Sequence, residues 1–239
     1  MTAIEAGRRP KASVGRRFYL IMSLLMAAVF VGGFGQTVPD DFAPPGLPLL
    51  FQLHGAVFTC WVLVFVAQPA FVARGSMKLH RQVGMAGAWL AGLMVIMGLA
   101  ATIFAFRYHR VPSFFPPGVF LVMNCLGILV FGGLVAGGIA LRRDPEWHKR
   151  LMLCATVSIL GPGLGRLLPM DSFGAAGPLV LFAVNMLFAL AGPVVDLRIR
   201  KAIHPAYAWG VGAIVLSTLL IPPLAFSPPT HALLSLLQG

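Results

Sequence analysis

Residues 47–73 read LPLLFQLHGAVFTCWVLVFVAQPAFVA; the chain then turns through RGSMKLHRQ and enters a second apolar run, VGMAGAWLAGLMVIMGLAATIFAF, over 83–106. The first run holds no Asp, Glu, Lys or Arg. A helix needs about 20 mainly apolar residues to cross the hydrocarbon layer, and both runs are long enough. In lipid every backbone N–H and C=O must find its partner within the segment, so two such runs joined by a short basic turn predict a helical membrane hairpin.

The same pattern extends along the chain. Apolar runs cover 18–36, 47–73, 83–106, 118–141, 147–169, 178–197 and 206–226, and the whole sequence of 239 residues is 58% hydrophobic and only 10% charged. That composition lies outside the range of soluble domains. The expected fold is an all-α integral membrane bundle of seven transmembrane helices over 18–226, with a basic tail at 1–17 and a short tail at 227–239. The first run follows a basic stretch, as a signal peptide does. Its length and its end, Gly32-Gly33-Phe34-Gly35-Gln36, lack the short apolar core and small-residue cleavage site of one, so it reads as a retained helix.

Charge sets the expected orientation. Arg8, Arg9, Lys11, Arg16 and Arg17 precede the first run, and Arg74, Lys78 and Arg81 join the second and third. Arg142, Arg143, Lys149 and Arg150 join the fourth and fifth, and Arg198, Arg200 and Lys201 the sixth and seventh. The alternate connections carry Asp40, Asp41 and Asp171, with Arg107 and Arg110. The positive-inside rule then places the N-terminus in the cytoplasm and the C-terminus outside, in a bacterial inner membrane. The formal charge of +11 is split into clusters between apolar runs, which suits anionic lipid headgroups at the cytoplasmic face rather than nucleic acid. Cys60, Cys125 and Cys154 form no C-x-x-C pair and read as buried thiols.

Small residues mark close helix packing: Gly133 and Gly137 on the fourth run, and Gly84, Gly87 and Ala91 on the third. Gly161-Pro162-Gly163 predicts a kink or break in the fifth. Asp144-Pro145 reads as an N-cap followed by proline at the first helical position, which puts His148 in the first turn.

Polar residues inside apolar runs are costly and mark candidate sites. Counted inward at 1.5 Å per residue, His54, Asn124 and Asn185 reach similar depths from the outer face, with Arg166 somewhat shallower. These four form a candidate outer pocket. At the other end stand Gln68, His80, His148, Asp196 and His204. At 100° per residue His148 and Arg166 share a face of the fifth helix, while His54 with Gln68, and Asn185 with Asp196, nearly share theirs. The stripes predict a central polar seam. The alternative is that these groups merely hydrogen-bond neighbouring helices.

Leu53-His54-Gly55, Lys78-Leu79-His80-Arg81-Gln82-Val83-Gly84, Glu146-Trp147-His148-Lys149-Arg150-Leu151-Met152 and His204-Pro205-Ala206-Tyr207 are similar to motifs of uncharacterised bacterial multi-pass membrane proteins, over most of the chain from the second helix onward. More loosely, the histidines resemble those of membrane b-type cytochromes and ferric-reductase-like domains, a likeness that implies haem ligation by paired histidines. The pairing is incomplete, since Gln68 stands where a second buried ligand of the second helix is expected. Rhodopsins are a poor match, because the last run has no lysine for a Schiff base.

Three readings of function follow. In the first, a haem- or metal-binding redox protein, two of His80, His148 and His204 are ligands, with Asp196 and Gln68 orienting them from behind. A hydrolase variant would hold zinc on the same histidines with Asp196. The second is a channel or secondary carrier for a proton, small anion or lipid-like solute, using His54, Arg166 and Asp196. The third is an accessory membrane subunit in which the seam only fixes packing. No nucleotide-binding loop or H-E-x-x-H zinc motif is present.

Overall fold

The computed structural model describes residues 3–36, 46–113 and 115–238. Asp40 and Asp41 lie outside the described residues. Among the described residues, ten α-helices and one 3₁₀ turn follow in chain order: α1 (Ala3–Gly35), α2 (Leu49–Ala73), α3 (Met77–Arg107), α4 (Pro117–Ala140), α5 (Pro145–Ser158), α6 (Gly161–Leu167), α7 (Met170–Phe173), the 3₁₀ turn Gly174–Ala176, α8 (Gly177–Arg200), α9 (Pro205–Ala225) and α10 (Pro228–Gln238). Among the described residues there is no strand.

Among the described residues, six helices are long and apolar enough to cross a membrane: Gly15–Gly35 within α1, then α2, α3, α4, α8 and α9. The protein is a helical membrane protein. The fifth apolar run is divided. α5 ends at Ser158, and α6 starts three residues later at Gly161, ahead of Pro162. Proline has no N–H to offer the ladder and its ring collides with the preceding turn. The backbone bridges the gap with tight bonds, Ile159 N–H to Thr156 O and Leu160 N–H to Val157 O. The expected break is therefore present, and it leaves two pieces of 14 and 7 residues, each too short to span alone.

Both terminal segments outside the expected bundle contain helix: α1 begins at Ala3, so the backbone of the basic segment continues into the first helix, and residues 228–238 form α10.

Hairpin partners pack side by side, α2 on α3 and α4 on α5. α4 also meets α3 and α9, while α1 bridges α2 and α6. α5 is enclosed: Arg150, Leu151, Leu153, Cys154, Ala155, Thr156 and Val157 are all buried. Apolar side chains such as Trp89, Leu63, Leu187 and Trp209 point outward, where lipid replaces water as the solvent.

Glycine sets the closest approaches. A Cβ on Gly33 of α1 would collide with the backbone oxygen of Gly163 on α6, so the broken segment is held backbone to backbone. Gly84 and Gly87 lie against Gln68 and Val64 of α2, as the small-residue pattern on α3 predicts. On α4 the pattern is displaced: Gly133 faces open space, and the tight contacts fall at Gly132 on Val95 and at Gly138 on Leu151 and Met152. Of the three cysteines only Cys154 is fully buried, and Cys60 is exposed on the outer surface of α2.

Candidate functional site: two imidazoles beside a buried ion-pair network

The first turn of α5 places polar side chains on two sides. Asp144 caps it, accepting from the N–H groups of Glu146 at 2.8 Å and Trp147 at 3.4 Å, and Pro145 starts the helix. His148 then points toward α3 and α4, while Arg150, two residues on, points toward α8 and α9.

On the first side, the His80 and His148 rings stand 6.2 Å apart between centroids, nearly perpendicular at 86°. His148 Nδ1 lies 2.8 Å from the carbonyl oxygen of Gly138. A carbonyl can only accept, so Nδ1 carries the proton and Nε2 keeps its lone pair in the neutral ring. His80 is held from α2. With the Gln68 amide oriented by its surroundings, the nitrogen donates to His80 Nδ1 at 2.6 Å and to His80 O at 3.1 Å, and the oxygen accepts from the Gly84 N–H at 3.2 Å. Gln68 thus sits behind His80, and its donation to Nδ1 leaves the proton of the neutral His80 ring on Nε2.

The third histidine is separate. His204 is the N-cap of α9: its Nδ1 accepts from the Ala206 N–H at 3.2 Å, and its ring meets Trp147 edge to face at 5.4 Å. Burial lowers its pKa, and the nearby Arg150 and Arg200 charges lower it further. No group of three or more His, Cys, Asp or Glu side chains suited to one metal ion occurs among the described residues. The expected trio reduces to a pair.

On the second side lies a network that the sequence did not reveal. Arg150 is 1% exposed and grips Asp196 of α8 with two bonds, Nε to Oδ2 at 2.9 Å and Nη2 to Oδ1 at 2.5 Å. Its Nη1 donates to the Glu146 backbone oxygen at 2.8 Å and to Glu146 Oε2 at 2.7 Å. Lys149 and Arg200 also pair with Glu146. Burial alone would raise the Glu146 pKa, but hydrogen bonds from Lys149 and Arg150 and their charges bring it down to about 2.

Two tyrosines complete the cluster. The Arg150 guanidinium lies 5.5 Å from the ring of Tyr207 on α9, whose hydroxyl is 3.2 Å from that of Tyr19 on α1. The network ties α1, α5, α8 and α9 at one end of the bundle. Asp196 bonds Arg150 and the His204 backbone N–H at 3.2 Å, so it orients a guanidinium rather than an imidazole.

At the opposite end the four outer candidates have different surroundings. Arg166 is exposed, with its guanidinium 4.2 Å above the Phe34 ring of α1 and Nη1 donating to Pro162 O. His54 stacks on Phe58 at 4.1 Å, and Asn124 donates to Phe120 O of its own helix at 2.8 Å. His54 Nδ1, Trp61 Nε1 and Asn185 Oδ1 are buried without a hydrogen-bond partner among the described residues.

His54, Phe58, Trp61, Phe65 and Gln68 recur at alternating intervals of four and three residues, so they occupy one stripe of α2. Trp61 stacks on Phe65 at 6.5 Å and meets Phe131 of α4 edge to face at 4.9 Å. Between its polar ends the stripe is aromatic. Comparison of the chain with protein families, with curated proteins and with solved structures finds no match.

Proposed function

We propose that the protein is a membrane-embedded metal-binding redox protein that holds one metal centre, a bare ion or a haem iron, between His80 and His148. The observation that carries this reading is the approach of the two rings to 6.2 Å. Two metal–nitrogen bonds of about 2 Å, extended to the ring centres, give a centroid separation of about 6 Å for an in-line pair and about 5 Å for a tetrahedral one. The observed spacing suits an in-line arrangement.

Support from behind His148 favours the same reading. A metal-bound histidine commonly donates its other ring N–H to a carbonyl or similar acceptor, and His148 does so toward Gly138. His80 differs: Gln68 donates to its Nδ1, so binding a metal through Nε2 requires the Gln68 amide to turn and give up its bonds to His80 O and the Gly84 N–H. In the proposed topology the N-terminus is cytoplasmic, α5 and α6 together make a seventh crossing, and the C-terminus is outside. The pair then lies near the cytoplasmic face of a bacterial inner membrane, among Lys78, Arg81, Arg142 and Arg143.

The carrier reading is weakened by the α2 stripe, because a polar solute moving between His54 and Gln68 meets Phe58, Trp61 and Phe65. The zinc hydrolase variant loses its carboxylate, since Asp196 is committed to Arg150.

The test is a visible spectrum and total metal analysis of protein purified in mild detergent from cells supplied with iron, copper, zinc and a haem precursor. Bound metal is expected, lost in His80→Ala and His148→Ala and kept in His204→Ala. A folded protein that is colourless and metal-free would overturn the proposal.

A further inference from the structure

The metal reading leaves the C-terminal helix unused. α10 has 11 residues, about 16 Å of helix, or about half the hydrocarbon thickness, so it cannot span. It packs on α3 and α4 at the end of the bundle opposite the two imidazoles. A Cβ on Gly118, in the first turn of α4, would collide with the Ala225 oxygen and stand 3.5 Å from Thr230 Cγ2, whereas Gly138, the partner of His148, lies near the other end of α4. α10 therefore starts level with the first turn of a membrane-length helix, at the edge of the hydrocarbon. Ser227 restarts the chain there: its carbonyl accepts from the His231 N–H at 3.1 Å and its hydroxyl lies 3.3 Å from that of Thr230, ahead of Pro228 at the first helical position.

At about 100° per residue α10 has three faces. Thr230, Leu234 and Leu237 share one and are each half-buried, which makes it the face packed on the bundle. Pro229, Leu233 and Leu236 form a second, about 100° round from the first; Leu233 is 44% and Leu236 79% exposed. His231 and Ser235, both exposed, form the third, about 150° from the leucines. A helix lying flat in the membrane surface needs this order: one flank on the protein, apolar side chains down into lipid, polar ones up into water. The lipid-facing surface of α9 leads to it through exposed Leu216, Leu219 and Phe226.

We propose that α10 is an interfacial anchor whose partner is the bilayer surface, with Leu233 and Leu236 among the acyl chains and His231 and Ser235 in water. α10 carries no Asp, Glu, Lys or Arg, so apolar burial holds it and attraction to anionic headgroups contributes little. Three exposed side chains fall far short of the roughly 800 Å² that each partner buries in a standard protein interface, which speaks against a second copy as the occupant. Because α10 packs on α3 and α4 while its leucines enter lipid, it fixes the depth at which this end of the bundle sits. The inference is independent of the metal pair.

The test uses the full chain in nanodiscs of phosphatidylcholine alone and of phosphatidylcholine mixed with phosphatidylglycerol. Spin labels are placed one at a time through His231→Cys, Leu233→Cys, Ser235→Cys and Leu236→Cys, with Cys60, Cys125 and Cys154 changed to alanine, and collisions with oxygen and with a water-soluble nickel chelate are recorded. Labels at 233 and 236 should meet oxygen and be shielded from nickel, at a depth of about 5–10 Å; labels at 231 and 235 should meet nickel. The pattern should be the same in both lipids. Nickel reaching 233 and 236 as readily as 231 and 235 would place the face in water and overturn the anchor. Exclusion of both reagents from 233 and 236, with dipolar broadening between labels, would assign the face to a second copy instead. Insertion confined to the anionic nanodiscs would contradict apolar anchoring. The unmodified protein is also irradiated with a phospholipid carrying a diazirine in its acyl chain, and crosslinks are mapped by mass spectrometry. Crosslinks are expected on Leu233 and Leu236, and none between 228 and 238 would overturn the proposal even if the labelled variants fail to fold.

Discussion

Replacing Asp196 with alanine strands an almost fully enclosed charge. Arg150 is 1% exposed and would lose both bonds to the carboxylate, at 2.9 and 2.5 Å, while the His204 N–H would lose its 3.2 Å acceptor. Removing one partner of a buried ion pair costs about 3–5 kcal/mol. Glu146 remains on Nη1 and shares the neutralisation, which puts the expected cost near the lower end, about 3 kcal/mol. For a chain of this size 1 kcal/mol corresponds to about 2–4 °C in Tm, so Asp196→Ala should lower Tm by about 6–12 °C. Thermal unfolding in detergent, followed by circular dichroism, reads this directly. The double variant Arg150→Met/Asp196→Leu removes both charges and should recover most of the loss, because an apolar pair of similar volume often substitutes for a buried ion pair without penalty. A single-variant shift below about 2 °C, or a double variant as unstable as the single one, would refute the argument that Arg150 depends on Asp196 for compensation.

Three further outcomes are expected. Glu146 has a folded pKa near 2 against an ordinary value of 4.5, so its contribution is fully present above about pH 4.5 and disappears as pH falls toward 2. The half-exposed position keeps that contribution small, and Tm measured against pH should show an acid-side decline that Glu146→Gln flattens. Gly33→Ala drives a methyl group into the Gly163 backbone and should destabilise the fold by about 1–3 kcal/mol; an unchanged Tm would mean that α1 and α6 do not meet at this point. Compartment reporters fused after Gln36, Arg74, Arg110, Arg142, Asp171 and Lys201 should alternate in sign, and two successive fusions on one side would overturn the seven-crossing topology.

The helices were legible because lipid imposes a strong rule on backbone polar groups, and runs such as 47–73 state it without ambiguity. The Asp144-Pro145 cap and the break at Gly161-Pro162-Gly163 were equally local and equally readable. Long-range pairings were not. Arg150 reads as one more loop cation until α5 folds it inward onto Asp196, 46 residues away. The signal was Asp196 itself: a lone carboxylate at the end of an apolar run requires a cation, and Arg150 is a turn beyond Glu146 on a returning helix. Tyr19 and Tyr207 carried no comparable mark.

His204 illustrates the opposite error. His204-Pro205 has the same N-cap and proline order as Asp144-Pro145, yet depth alone groups the histidine with His80 and His148 as a ligand. In the structure the ring caps α9 instead. His80 and His148 do approach, because the α2–α3 and α4–α5 turns lie at the same end of the bundle. Depth could suggest that proximity, but helix rotation decides it, and rotation is set by contacts such as Gly84 on Gln68 and Gly138 on Met152.

The central claim is that His80 and His148 hold one metal centre together, and the direct measurement is metal stoichiometry in the purified protein and in the single variants His80→Ala and His148→Ala, each shown to be folded by its thermal transition. One metal per chain in the unmodified protein, and none in either variant, is the predicted result. A metal content that neither substitution changes, or a folded unmodified protein that binds no metal, would contradict the account.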